Sequence, residues 1–294
     1  MKRRDFVLAS LLCPVLPGRA AARFDGGLLW EVSRKGTAQP SYVYGTIHVA
    51  DPRLDALPAA VSEAFERAGA LMLEFVPDPW SRQRFLEAAM FADGQTLEEK
   101  IGGQDFERAL EQLRPIGLSR EFVSKLKPWG VLLNLPAAAG DAGDAGVTLD
   151  ARLVERARAR RMPFEQIEGV EEQIFTFDEL PMDSQVALLK HSLAHRDELA
   201  ALAEDTMQAY LARDLGRLWS LREQFAARHG EIAAHQAAMT KRVVLDRSVV
   251  MAFRMQRELR RGRAFVALGA LHLYGEQGVL ALLEQDGFRA RRVY

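Results

Sequence analysis

Two short stretches of this 294-residue chain share one pattern, Gly45-Thr46-Ile47-His48 and Gly269-Ala270-Leu271-His272. Each follows a strand-like apolar run, Ser41–Tyr44 in one case and Ala264–Leu268 in the other. Glycine at a strand end permits a sharp turn or a close backbone approach. A histidine three residues on can then project into the crevice beyond the carboxyl ends of the strands, where open α/β sheets gather functional groups. Glu74 closes a third such run, Ala70–Leu73. Together His48, Glu74 and His272 form a donor set for a divalent metal (manganese, cobalt or zinc) with an open coordination position. The pattern alone leaves open that both histidines are simply polar or capping side chains.

The remaining candidates are weaker. His191 and His195 have the i, i+4 spacing of a zinc pair, but Ser192 stands where an H-E-x-x-H helix has glutamate, and the pair is expected on a solvated helix face. His229 and His235 are off a common face in a polar helical region. Arg156, Arg158, Arg160 and Arg161 read as a solvated basic face. The chain carries no P-loop, no dinucleotide fingerprint and no G-x-S-x-G elbow.

The elements that would position the first set are β-like at both ends of the chain and helical between. Leu28–Ser33 and Ser41–Tyr44 flank a polar turn and predict a hairpin. Pro58 opens a helix to about Gly69, with Val61, Ala64, Phe65 and Ala68 on one face. Thr96-Leu-Glu-Glu99 matches a capping box. Gly140–Gly146 is a small tandem repeat with turn chemistry. Helices are expected over 149–161 and 170–177, with a strand near Pro163–Ile167 between them, then a long helical run from Asp183 whose last clear helix is Val243–Arg261. The strand at Ala264–Leu268, a helix near Glu276–Glu284 and a final strand at Phe288–Val293 complete the chain. The expected fold class is α/β (α+β): a split mixed β-sheet core formed by the N- and C-terminal segments, with a large helical insertion over about 80–262.

Composition limits the chemistry further. With 48% hydrophobic and 27% charged residues the chain has ample material for a core. Lys and Arg number 39 against 40 Asp and Glu, a net charge of −1, so no electrostatic case exists for a nucleic-acid partner. The basic start, the apolar stretch Phe6–Leu16 and Ala20-Ala21-Ala22 have the layout of a secretory signal, with Arg3-Arg4 resembling a twin-arginine leader. Residues 1–22 are therefore expected to direct export to the periplasm or outside, leaving 23–294 as the mature domain with no integral membrane span. The apolar run is too short for a permanent span, and Leu12 argues against lipidation of Cys13. Cleavage would remove four basic residues and one acidic one, for a net charge of −4, together with the one cysteine. Any metal site in the mature chain then rests on histidine and carboxylate.

The stretches Leu29-Trp-Glu-Val32, Tyr44–Val49 and Leu73-Glu-Phe75 resemble the opening of the TraB/GumN family, relatives of the Tiki proteins. Leu149–Leu153, Ile167–Ile174, Phe177–Pro181 and Gln185–Leu189 are similar to its helical section, and Asp246-Arg247, Ala264–Leu273 and Gly275–Leu283 to its end. The two G-x-x-H motifs are the family's hallmark. Tiki proteins act as metal-dependent proteases at membranes, so the resemblance implies a metal-dependent hydrolase acting on a peptide or protein substrate. His48, Glu74 and His272 match the family's metal or catalytic set. Arg247 matches the arginine of an Asn-Arg motif, although Asp246 stands where the asparagine is usual; its implied role is to stabilise charge on a substrate oxygen. Glu168 is all that remains here of a Gly-Leu-Glu-Thr element, and it or Glu74 would take the proton from bound water. Two other functions stay open: a non-catalytic envelope protein holding a metal, haem or another ligand, and an accessory factor in polysaccharide export.

Overall fold

The computed structural model describes residues 23–76, 78–139 and 147–294. The leader, Cys13 and the Gly140–Gly146 repeat lie outside the described residues. One mixed six-stranded sheet is built from β1 (Leu29–Ser33), β2 (Ser41–Thr46), β3 (Ala70–Leu73), β4 (Phe164–Gln166), β5 (Ala264–Gly269) and β6 (Arg289–Arg292), in the order β4-β3-β5-β2-β1-β6. The expected split α/β class is what forms. β1 and β2 make the antiparallel hairpin, with Leu29 opposite Tyr44. The strands β4, β3, β5 and β2 run parallel to one another. Of these, β4 comes from within the long helical section, so that section also supplies an edge of the sheet.

Burial explains the strand sequences. β2 is buried throughout and β5 nearly so, as central parallel strands covered on both faces must be. The opposite edge strand, β6, reads Arg-Ala-Arg-Arg; only Ala290 is buried, and the charged side chains discourage pairing with another sheet. The core on the sheet includes Phe65, Leu71, Phe265 and Leu283. A second apolar cluster, around Leu97, Phe106, Leu113 and Trp129, belongs to the helices before residue 140 and draws in Leu189 and Leu193.

Local signals hold at the helix starts. The helix Ala59–Arg67 follows Pro58 and buries Val61, Ala64 and Phe65. Thr96 and Glu99 form the reciprocal capping box. The run expected from Asp183 is divided into Met182–Ala194, Arg196–Leu211, Leu215–Arg228 and Ala233–Thr240, with breaks at His195, at Ala212–Asp214 and at His229. At the second break the Asp214 carboxylate caps the next helix by accepting from the Arg217 N–H. Residues Lys241–Asp246 form a π-helical turn that leads directly into the helix Arg247–Arg261. No helix among the described residues is long and apolar enough to cross a membrane.

Candidate metal centre

The four parallel strands each deliver one side chain at their carboxyl ends. Glu168 follows β4, Glu74 follows β3, His272 follows β5 and His48 follows β2. Register brings them level: Leu73 pairs with Ala267, and Thr46 with Gly269. The Glu168 N–H also donates to the Glu74 carbonyl (2.9 Å), which extends the ladder one residue past the strands. Both G-x-x-H glycines serve close approach. A Cβ on Gly45 would meet Leu273 Cδ1 at 2.9 Å and Ala270 Cα at 3.1 Å. A Cβ on Gly269 would stand 3.2 Å from both Glu74 Oε1 and His48 Nε2. The second glycine therefore keeps open the space between the acid and the imidazoles.

Glu74 Oε1 lies 3.7 Å from His48 Nε2 and 3.7 Å from His272 Nε2. The same oxygen accepts from the Gly269 N–H, while Oε2 accepts from Arg247 Nη2 at 2.7 Å. The far nitrogen of each ring is fixed by an oxygen. His48 Nδ1 donates to Asp150 Oδ2 (3.0 Å), and Asp150 is held in turn by Thr46 Oγ1 (3.1 Å). His272 Nδ1 lies 2.9 Å from Ser248 Oγ, whose one hydrogen goes to the Val244 carbonyl at 2.7 Å. The hydroxyl must therefore accept from His272 Nδ1–H, leaving a lone pair on Nε2 aimed at the carboxylate.

Burial pulls His272 down to about 4, against the pull of the Glu74 charge, so the ring is neutral at physiological pH. His48 sits at the mouth of the crevice with 56% of its side chain exposed. Loss of water on its inner face opposes the charged ring, but the hydrogen bond to Asp150 and the nearby Glu74 carboxylate outweigh this and push it up to about 10. Burial also works against the Glu74 charge, yet the two histidines and Arg247 hold its carboxyl well below the usual range. Glu168 is displaced the other way, upward, because burial outweighs Arg247.

Arg247 joins the two acids. Its Nε and Nη2 donate to Glu168, Nη2 also to Glu74, and Nη1 to the Val243 carbonyl (3.1 Å). Gln173 Nε2 donates to Glu168 Oε2 at 2.6 Å. Arg247 thus stands in an ion pair that orients both carboxylates. Asp246 points elsewhere and pairs with Lys241 on the surface.

All five residues expected from the sequence, His48, Glu74, Glu168, Arg247 and His272, meet in this one network. The sequence reading did not single out Asp150, Ser248, Gln173 or Gly269's role as spacer. Asp150 and Gln173 lie in stretches resembling the family, and Ser248 directly follows Arg247, but nothing local marks them as partners. One expectation fails. His191 is not on a solvated face: it is buried, and His195 and His229 pack against it.

Glu74 Oε1 stands from each imidazole Nε2 at close to the about 3.4 Å that separates two ligand atoms on one tetrahedral zinc. The three donors do not all lie within 4.8 Å of one another, so the exposed His48 ring would have to swing inward to share one ion. Metal-binding imidazoles characteristically hold the second ring nitrogen on a carboxylate or another oxygen, as both rings do here.

Comparison with known proteins places these features in context. A family model described as the TraB/PrgY/gumN family matches residues 28–292. An uncharacterized protein, YbaP, of Shigella flexneri is 27% identical over 252 residues, covering 83% of this chain and 87% of the relative. YbaP of Escherichia coli (strain K12) is 26% identical over 251 residues, covering 82% and 87%. No solved structure gives a significant match.

Proposed function

This chain belongs to the TraB/PrgY/gumN family, and on that footing we propose that it is an exported, metal-dependent hydrolase acting on peptides. One observation carries the reading: two imidazoles, each locked through Nδ1, present Nε2 to the same carboxylate oxygen at the ends of three neighbouring strands. His48, His272 and Glu74 would hold the metal. A divalent ion bound there supplies a water of lowered pKa and polarises a carbonyl.

The remaining groups act through their own chemistry. Glu168, whose carboxyl is displaced upward by burial, is the candidate to take a proton. Arg247 is a positioning residue, because nearly all of its donors are committed to Glu74, Glu168 and a backbone carbonyl. Substrate preference follows from a neighbouring cleft of about 390 Å³, lined by Phe85, Leu86, Trp129 and Leu133. Gln173 lies in the wall of this cleft and also donates to Glu168, so the cleft adjoins the polar network. A bulky apolar side chain beside the scissile bond suits that lining. The export half of the proposal rests on the leader-like residues 1–22 alone.

The test is metal analysis of the purified protein followed by cleavage of a peptide library in the presence of manganese, cobalt or zinc. Stoichiometric metal and cleavage next to apolar residues, both lost in His48→Ala and His272→Ala, are expected. Metal without turnover would favour a binding protein instead. That second reading has its own support, since Arg247 and Glu168 use their polar atoms largely on each other. If no metal binds, both fail.

A further inference from the structure

A second group of imidazoles lies in the helical section. His191 is in the last turn of the helix Met182–Ala194, His195 caps that helix, and His229 caps the helix Leu215–Arg228. One ring nitrogen from each lies within 4.8 Å of the others. The ring centroids are 4.0 Å apart for His191 and His195, 4.5 Å for His191 and His229, and 4.8 Å for His195 and His229. Phe225 closes the apolar side of the cluster.

Hydrogen bonds fix the free lone pair on two of the three rings. His195 Nδ1 donates to the His191 carbonyl (2.9 Å), so its lone pair is on Nε2. His229 Nε2 donates to Glu198 Oε2 (3.0 Å), so its lone pair is on Nδ1. His191 Nε2 is buried without a hydrogen-bond partner, on a side chain only 5% exposed. A buried polar nitrogen left unpaired is costly and calls for an explanation. Glu231 Oε1 faces two of the rings, at 3.5 Å from His191 Nε2 and 3.7 Å from His229 Nδ1. One carboxylate oxygen set before two imidazoles repeats the arrangement around Glu74.

We infer that His191 Nε2, His195 Nε2 and His229 Nδ1 form a second metal site, for a borderline divalent cation of the zinc class, with Glu231 or water as the fourth ligand. Three imidazoles and a carboxylate match that class of ion. Glu198 and the His191 carbonyl supply the outer hydrogen bonds that such ligands use. Bound metal would join the two helix ends by tying His191 and His195 to His229, 34 positions beyond His195 along the chain. This site is independent of the strand-end centre, and its test separates the two.

Zinc is titrated into the full chain carrying His48→Ala and His272→Ala. One equivalent is expected to bind, with affinity falling at least a hundredfold when His195→Gln and His229→Gln are added. No zinc binding in the first variant, or equal affinity in the second, would overturn the proposal. A measurement on the unaltered chain guards against misfolded variants. Imidazole nitrogen NMR with zinc in stoichiometric steps should shift His191 Nε2, His195 Nε2 and His229 Nδ1 while leaving His235 in place. Absence of those three shifts at two equivalents of zinc rejects the site.

Discussion

Ser248 Oγ stands 2.9 Å from His272 Nδ1 and gives its own hydrogen to the Val244 carbonyl, so the imidazole is the donor and its Nε2 is bare toward Glu74. A single hydroxyl thus sets the tautomer of a buried ring. Ser248→Ala removes that control and is expected to lower metal affinity by roughly tenfold to a hundredfold while the fold is retained. Calorimetric titration with zinc or manganese, beside circular dichroism, checks it; unchanged affinity would show that the hydroxyl does not select the tautomer.

Gly269→Ala places a methyl group 3.2 Å from Glu74 Oε1 and His48 Nε2. Glu74 is tied by Arg247 and the Gly269 N–H, so the more exposed His48 ring must give way. Metal affinity should fall more than about tenfold with a stability loss of only about 1 kcal/mol. In Gly45→Ala the methyl meets Leu273 and the Ala270 backbone instead, and overpacking should cost about 1–3 kcal/mol. Denaturant melts and metal titrations of the two variants should therefore separate site from core.

Removing Arg247 leaves Glu74 and Glu168 buried without their shared cation. Breaking a buried pair in this way costs about 3–5 kcal/mol. Arg247→Met should show a loss of that size in urea unfolding, and Glu168→Gln added to it should restore a substantial part, because one stranded charge is then gone. Equal stability of the single and double variants would mean that the arginine is not balancing these acids.

The shifts of the two histidines predict proton release on metal binding. His48, pushed up to about 10, is protonated at pH 7.5, whereas His272, at about 4, is already neutral. Metal taking both Nε2 atoms must displace one proton, from His48, so affinity should rise with pH up to about 10. Calorimetry in buffers of different ionisation enthalpy counts that proton; a count of zero contradicts the assignment.

Stability without metal should also carry the mark of His272. Its folded pKa of about 4 lies below the ordinary 6.5, so the unfolded chain binds the proton more readily. The contribution is complete above pH 6.5 and is lost as pH falls toward 4, by at most about 1.4 kcal/mol per pH unit. His272→Gln should flatten the pH dependence of unfolding within that window. A slope identical to that of the unaltered protein would indicate that the ring titrates normally.

Much of the strand-end site was legible before any coordinates. The residues that end strands, His48, Glu74 and His272, carry a local signature, since glycine, an apolar run and a polar side chain sit within a few positions of one another. Arg247 and Glu168 came from family resemblance, and the structure gives their relation a physical form: an ion pair with 11% and 4% side-chain exposure, respectively. The histidines of the helical section were misjudged for an equally physical reason. The spacing of His191 and His195 fixes only their common face, whereas burial depends on which helix covers that face. His229 arrives 34 positions after His195 because the chain turns back at Arg213, and that turn brings the helix Leu215–Arg228 alongside Arg196–Leu211.

What the amino-acid sequence determined by itself was therefore local: the strands and helices, the turns that end them, and the type of side chain left at each strand end. These follow from hydrophobic period, capping and backbone freedom within a few residues. Only the tertiary structure decided which strand ends are neighbours, that Asp150 and Ser248 hold the outer nitrogens of the rings, and that three helical histidines share one pocket. Those outcomes depend on parallel pairing and helix packing between segments as far as 223 positions apart, as in Ala264 against Ser41. No local pattern encodes such contacts, because they are set by the simultaneous burial of all the apolar faces.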